Sequence, residues 1–126
     1  MTKLKALIVE DSPVMRESLT AALEELAPVE VIACKDSERD ALAWLNANHD
    51  SDLLIVDVFL RSGSGLSVLN AAVALGRPRW LVVVTNYATA EMRAECLRLG
   101  ASRVFDKSHD IEALVSYCCY LATSRG

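Results

Sequence analysis

The chain has 126 residues, 52% hydrophobic and 24% charged, which suits one globular domain with a sizeable core and leaves too little chain for two. A formal net charge of -4 and a pI near 5.1 exclude a protein that holds nucleic acid or an anionic membrane through bulk positive charge. No apolar stretch approaches the roughly 20 residues of a membrane helix, and the N-terminus lacks the pattern of a secretory signal, so a cytoplasmic protein is expected.

The first apolar run, Leu4 to Val9, has strand length and stops against two carboxylates, Glu10 and Asp11. Asp11, Ser12 and Pro13 read as a helix cap followed by a proline of the kind tolerated in a first turn, and Met15, Leu19, Ala22 and Leu26 carry helical spacing beyond it. A second strand is expected over Val29 to Cys34 and a third over Leu53 to Val56, closing on Asp57. Leu66, Leu69, Ala72 and Val73 mark a helix that stops at Gly76, just before Arg77 and Pro78. The fourth strand, Trp80 to Val84, runs into Thr85, and Met92, Cys96 and Leu99 mark a helix ending at Gly100. Ser102 to Phe105 is the last strand; Asp106 and Lys107 follow it, then a helix through Ile111, Leu114, Val115 and Cys118.

The order is a strand–helix pair repeated five times, and no linker, repeat or low-complexity segment interrupts it, so residues 1–126 are expected to form a single domain ending soon after the fifth helix. Alternation of this kind implies an α/β fold: a parallel sheet covered by helices on both faces, with right-handed crossovers. Most of the strand runs are β-branched or continuously apolar, as strands buried on both faces require. Four cysteines, Cys34, Cys96, Cys118 and Cys119, include an adjacent pair unsuited to bridging and no C-x-x-C spacing, so reduced and mostly buried thiols are expected. Trp44 and Trp80 read as packing residues, and His49 and His109 as surface residues.

In an open parallel sheet the ligand sits outside the carboxyl ends of the strands. Glu10, Asp11, Asp57, Thr85 and Lys107 all fall at such ends. Carboxylates gathered at one edge repel and lose water, a cost that makes sense if a hard divalent cation is held there. With a hydroxyl and an ammonium beside them they supply a nucleophile, a metal cradle, a hydrogen-bond donor and a cation, the parts that phosphoryl transfer needs. Any one of these residues alone is more often a solvated loop residue or a helix cap; the joint placement is the signal.

These residues resemble the receiver domain of two-component response regulators, in its compact, chemotaxis-regulator-like form, over essentially the whole chain. Glu10 and Asp11 match the family's acidic pair, Asp57 its phosphoacceptor, Thr85 its switch hydroxyl and Lys107 its lysine, and Gly65 stands eight positions after the acceptor. The resemblance implies a (βα)5 flavodoxin-like three-layer sandwich with strand order 2-1-3-4-5. It implies Mg2+ held by Glu10, Asp11, Asp57 and the main-chain carbonyl of Phe59, with the phosphoryl group received from a histidine kinase or histidine phosphotransfer protein. Lys107 would pair with Asp57 and then with a phosphoryl oxygen, while Thr85 takes another. Output would pass through the surface of the fourth helix, fifth strand and fifth helix to a downstream protein partner or to dimerisation, without direct contact to nucleic acid or membrane.

The chain departs from the family pattern in three places. Ser108 follows Lys107 where proline is usual, Arg61 stands four positions after the acceptor where proline is usual, and Val104 occupies the position of the aromatic switch residue, with Phe105 beside it pointing to the opposite face. The Ser62, Gly63, Ser64 segment reads as a mobile loop. Phe59 and Tyr87, two positions after Asp57 and Thr85, flank the route by which water reaches an acyl phosphate in receivers, and are expected to modulate its lifetime. The signalling reading makes the chain no enzyme beyond assisting its own phosphorylation and dephosphorylation. Two rivals stay open: an interaction module with this fold that works without phosphate, and an aspartyl-phosphate phosphatase, which commonly carries a second acid where Phe59 stands.

Overall fold

Runs of alternating inward residues on both sides of a strand can be buried only if helices cover both faces, and that is what the chain builds. The computed structural model describes residues 2–48 and 50–124, so His49 lies outside the described residues. Along the chain come β1 (Leu4–Val9), α1 (Pro13–Leu26), β2 (Val29–Lys35), α2 (Glu38–Ala47), β3 (Leu53–Asp57), α3 (Gly65–Leu75), β4 (Trp80–Thr85), α4 (Ala90–Leu99), β5 (Arg103–Asp106) and α5 (Ile111–Ser124). The five strands form one parallel sheet in the order β2-β1-β3-β4-β5.

The strand period of two divides the core cleanly. Ala6, Ile8, Leu53, Ile55, Val82, Val84 and Phe105 face Leu19 and Leu23 of α1 and Leu114, Cys118 and Leu121 of α5. Their neighbours Leu7, Val9, Leu54, Val56, Val83 and Val104 face Ala41 and Leu45 of α2, Val68 and Leu69 of α3, and Cys96 of α4. Leu7, Ile8, Leu54 and Ile55 have no exposed surface, and burial of each such side chain stabilises the fold by about 1.5–3 kcal/mol relative to exposure. Phe105 and Val104 thus point to opposite faces, as their adjacency implies.

Some burial differs from the sequence reading. On α1 the inward residues are Leu19 and Leu23, while Leu26 is largely exposed, because α1 ends there and the chain turns through Ala27 and Pro28 into β2. On α3 Val68 is buried and Val73 is not. β2 lies at the sheet edge with only Val29 fully buried, which leaves Cys34 exposed and Cys119 half-buried; Cys96 and Cys118 are buried. Burial pushes the Cys118 thiol up to about 12, so it packs as a neutral apolar group. Trp44 and Trp80 pack half-buried against opposite cores, and the Arg79 guanidinium lies 4.4 Å from the centre of the Trp80 ring.

Hydroxyl caps set where helices begin. Ser12 accepts from the Met15 N–H, Ser37 from Asp40, Ser64 from Leu66 and Thr89 from Met92. Gly76 closes α3 in the left-handed conformation, φ 72°, and its N–H returns to the Ala72 and Val73 carbonyls. The expected strand ends move one residue outward: β3 includes Asp57, β4 includes Thr85 and β5 includes Asp106. Those polar groups are therefore anchored by the sheet rather than by flexible loops.

Gly65, at the start of α3, lets the helix approach the end of β3. Its N–H donates to the Val58 carbonyl at 2.9 Å, and a Cβ there would lie 1.8 Å from the Asp57 carbonyl oxygen. Gly65→Ala should therefore force α3 away from Asp57 and destabilise the protein by about 1–3 kcal/mol. Urea unfolding is the check, and an unchanged midpoint would show that the close approach does not constrain the fold.

Candidate functional site

The carboxyl ends of β1 and β3 are neighbours, so the residues that follow them meet. Asp57, the last residue of β3, is buried; Glu10, just beyond β1, has only 1% of its surface exposed; Asp11 is half-buried. One oxygen from each of these three carboxylates lies within 4.8 Å of the others. Lys107, just past β5, extends its buried side chain across β4 so that Nζ donates to Asp57 Oδ2 at 2.8 Å and also pairs with Glu10 Oε1. The Lys107 main-chain N–H donates to the Thr85 carbonyl at 3.0 Å, which fixes where that side chain starts.

Main-chain amides complete the cluster. Asp57 Oδ1 accepts from Phe59 N–H at 3.2 Å, Glu10 Oε2 from Ser12 N–H at 3.1 Å and Asp11 Oδ2 from Arg61 N–H at 2.7 Å. Thr85 is fully buried, and its hydroxyl oxygen accepts from Tyr87 N–H at 3.1 Å. Phe59 and Tyr87 are both exposed and meet edge to face, ring centres 5.1 Å apart. The Ser62–Ser64 loop, read from sequence as mobile, is fastened at three points. Ser62 O accepts from Glu38 N–H, Ser64 N–H donates to Glu38 Oε1, and Phe59 and Ser64 form an isolated bridge.

Burial raises the Glu10 pKa above its ordinary value; the hydrogen bonds from Lys107 and the Ser12 amide, and the Lys107 charge, pull against that, and the Asp57 charge adds to it. For Lys107 burial alone would lower the pKa, but the hydrogen bonds and charges of Asp57 and Glu10 outweigh it and the net direction is upward. Three carboxylates thus face one ammonium, and the remaining negative charge is borne by hard oxygen donors. That donor set fits a hard divalent cation.

A family model, the response regulator receiver domain, matches residues 6–118. The chain belongs to this family. Receiver domains are signalling modules of two-component systems and interact with histidine kinases or phosphotransfer proteins. This receiver is 30% identical over 106 residues to the transcriptional regulatory protein CitB of Klebsiella pneumoniae, covering 84% of this chain and 44% of that protein. It is also 30% identical over 111 residues to a cyclic di-GMP phosphodiesterase of Thermotoga maritima, covering 88% of this chain and 29% of that protein. The chain therefore spans less than half the length of these relatives, and the transcriptional and phosphodiesterase activities in their names belong to those proteins. Among solved structures, the receiver of the putative response regulator NarL from Mycobacterium tuberculosis superposes with a TM-score of 0.86 at 22% identity, over 99% of this chain and 100% of that one. A Francisella response regulator receiver gives 0.85 at 18% identity, over 98% and 100%. Both likenesses show the fold.

The structure brings Glu10, Asp11, Asp57 and Lys107 of the receiver together, sets Thr85 beside them on the neighbouring strand, and joins Phe59 to Tyr87. Among the described residues no helix is long and apolar enough to cross a membrane. Sequence reasoning missed the second partner of Lys107, Glu10, and it missed Arg16, whose Nη1 donates to the Glu10 carbonyl at 2.9 Å. His109 is exposed, with Nδ1 3.3 Å from Asp106 Oδ1.

Removing one partner of a buried ion network leaves uncompensated charge, so Lys107→Met should destabilise the metal-free protein by about 3–5 kcal/mol near pH 8. Without the ammonium, Glu10 loses the hydrogen bond and the charge of Lys107 and keeps only the Ser12 amide to lower its pKa, which then rises further above the ordinary 4.5. A carboxyl raised in the folded state contributes stability below its unfolded pKa and loses it as pH rises through its folded one. The deficit should therefore shrink between about pH 8 and pH 5 in urea unfolding with EDTA present. An equal deficit at both would mean that the ammonium is not what neutralises Glu10 and Asp57.

Proposed function

We propose that Asp57 is the phosphoacceptor of this receiver and that the chain relays a signal by receiving a phosphoryl group there in the presence of Mg2+. The observation that carries the reading is the shared ammonium: Lys107 holds Asp57 and Glu10 together within a group of three carboxylates at the sheet edge. An Asp57 carboxylate oxygen attacks the phosphorus of a phosphohistidine or a small phosphodonor. The new bond is P–O to Asp57, and the bond broken is P–N to the imidazole, or P–O to the donor's leaving group. Glu10, Asp11, Asp57 and the main-chain carbonyl of Phe59 are the groups that would hold Mg2+. When bound, that ion neutralises charge on the acceptor and the incoming phosphoryl group.

The residues of the chain divide the remaining work. Lys107 transfers its hydrogen bond from the carboxylate to a phosphoryl oxygen and keeps its positive charge beside the developing one. The Thr85 hydroxyl donates to a second phosphoryl oxygen, and doing so turns it away from its present contact with the Tyr87 amide. Phe59 offers no acid or base where a phosphatase would place one. The edge-to-face contact of Phe59 with Tyr87 supports a role as a paired shield over the route of attacking water. Output through α4, β5 and α5 to a protein partner or a second copy, in the cytoplasm, completes the reading.

Two measurements test it. After treatment with acetyl phosphate and Mg2+, mass spectrometry should find one phosphoryl group on the wild type and none on Asp57→Asn, which keeps the shape but loses the nucleophile. Label retained by the Asn variant would place the acceptor elsewhere. The shield is tested by decay of the phosphorylated protein. Phe59→Asn combined with Tyr87→Ala should hasten hydrolysis about ten-fold, corresponding to roughly 1.4 kcal/mol of barrier. Decay at the wild-type rate would remove the shield and leave the aromatic pair as a partner contact.

A further inference from the structure

Val104 is fully packed among Cys96 and the other residues between the sheet and α2, α3 and α4, so the face expected to carry the signal holds no aromatic ring at that position. What joins its parts instead is Arg93, on α4. Nε donates to the Ala88 carbonyl at 3.0 Å, Nη1 to the Val104 carbonyl at 2.9 Å, and Nη2 to Asp110 Oδ2 at 3.4 Å. One rigid guanidinium thus ties the loop before α4, the strand β5 and the start of α5.

Two of the three tied points, Ala88 and Asp110, lead back to the site in a few bonds. Ala88 follows Tyr87, whose N–H rests on the Thr85 hydroxyl, and Thr89 N–H donates to the Tyr87 carbonyl. Asp110 Oδ2 accepts from Asp106 N–H at 2.9 Å as well as from Arg93; Asp106 pairs with Thr85 across β4 and β5 and precedes Lys107. The arrangement is a closed loop: Thr85, Tyr87 and Ala88, Arg93, Asp110, Asp106 and Lys107, and back to the Thr85 carbonyl. Thr85 and Lys107 are the two groups that must turn towards a phosphoryl group if Asp57 receives one.

We propose that Arg93 is the positioning residue that couples the phosphorylation site to the α4–β5–α5 face, and that its three-way clamp holds that face in the unphosphorylated arrangement. The inference rests on Asp57 being the phosphoacceptor. If Thr85 turns inwards, the Tyr87–Ala88 segment shifts against β5 and α5, and the three acceptors of Arg93 no longer sit at one spacing. The clamp must then be remade or released. A phosphoryl mimic that draws Thr85 inwards works against the same clamp, so releasing the clamp should tighten its binding.

Beryllofluoride with Mg2+, titrated calorimetrically, is therefore the probe. Arg93→Gln and Asp110→Ala should each bind it about five-fold more tightly than the wild type, and the double variant should gain no more than either alone, since both break one device. Amide hydrogen exchange in α4 and β5 of the free variants should rise towards that of wild type loaded with beryllofluoride. Arg93→Lys, which keeps the charge but not the fork, should behave like Arg93→Gln. A merely structural arginine would lower the urea midpoint and leave beryllofluoride affinity unchanged; that result, or additive effects in the double variant, overturns the coupling. If the wild type itself takes up no beryllofluoride, the phosphoacceptor reading fails and takes the coupling with it.

Discussion

The structure turns on a charge problem at the carboxyl edge of the sheet, answered by one ammonium. Glu10 and Asp57 are both buried and close enough to repel, and Lys107 reaches across an intervening strand to sit between them. Burying those charges is tolerable only because each has a fixed partner and a main-chain amide on the remaining oxygen. The fixity comes from below. Asp57 and Thr85 are the last residues of strands whose other members, the half-buried Trp80 apart, are buried, so the apolar core determines where the polar groups stand. A weaker core would let the carboxylates separate and return to water; a stronger polar edge alone could not hold the strands in register.

The loops show how departures from the family pattern are absorbed. Arg61 stands where proline is usual in receivers, and its N–H makes the 2.7 Å bond to Asp11 Oδ2, a bond that proline, with no N–H, could not make. One oxygen of Asp11 is thereby oriented by the loop that follows β3. At the other end, Ser108 replaces proline after Lys107, and the turn is built from an aspartate: Asp106 Oδ1 accepts from Ser108 N–H at 2.7 Å, and its carbonyl from Asp110 N–H at 2.9 Å. The Ser108 amide, with the His109 contacts, holds the Asp106 carboxyl below its usual pKa. A side-chain turn of this kind sets the direction of Lys107 without a restricted backbone.

Much of this was legible in the residues, and what escaped has a common cause. Strands could be read because continuous apolar runs of strand length between helical patterns admit few other arrangements, and the strand-end acids, Thr85 and Lys107 followed from that order. Helix faces were less legible where the stripe is narrow. α2 buries only Ala41 and Leu45, and on α1 Leu23 and Leu26 fit the periodicity almost equally until the turn into β2 decides between them. The exposure of Cys34 depends on β2 being an edge strand, a matter of strand order rather than of local pattern. The contacts of Arg16, Arg61 and Arg93 depend on tertiary placement of main-chain groups that carry no residue signature.

Thr85 is where these separate features converge. Its hydroxyl supports the Tyr87 amide and through it the aromatic pair with Phe59, while its carbonyl supports Lys107. A fully buried hydroxyl has few alternative positions, so it cannot move without disturbing one of those supports. In the proposed phosphorylation, the protection of the acyl phosphate and the rearrangement of the α4–β5–α5 face therefore draw on the same side chain. The lifetime of the signal and its transmission are then not independently adjustable in this chain: a change at Tyr87 that opens the route for water also alters the segment carrying the Ala88 carbonyl, to which Arg93 is bound.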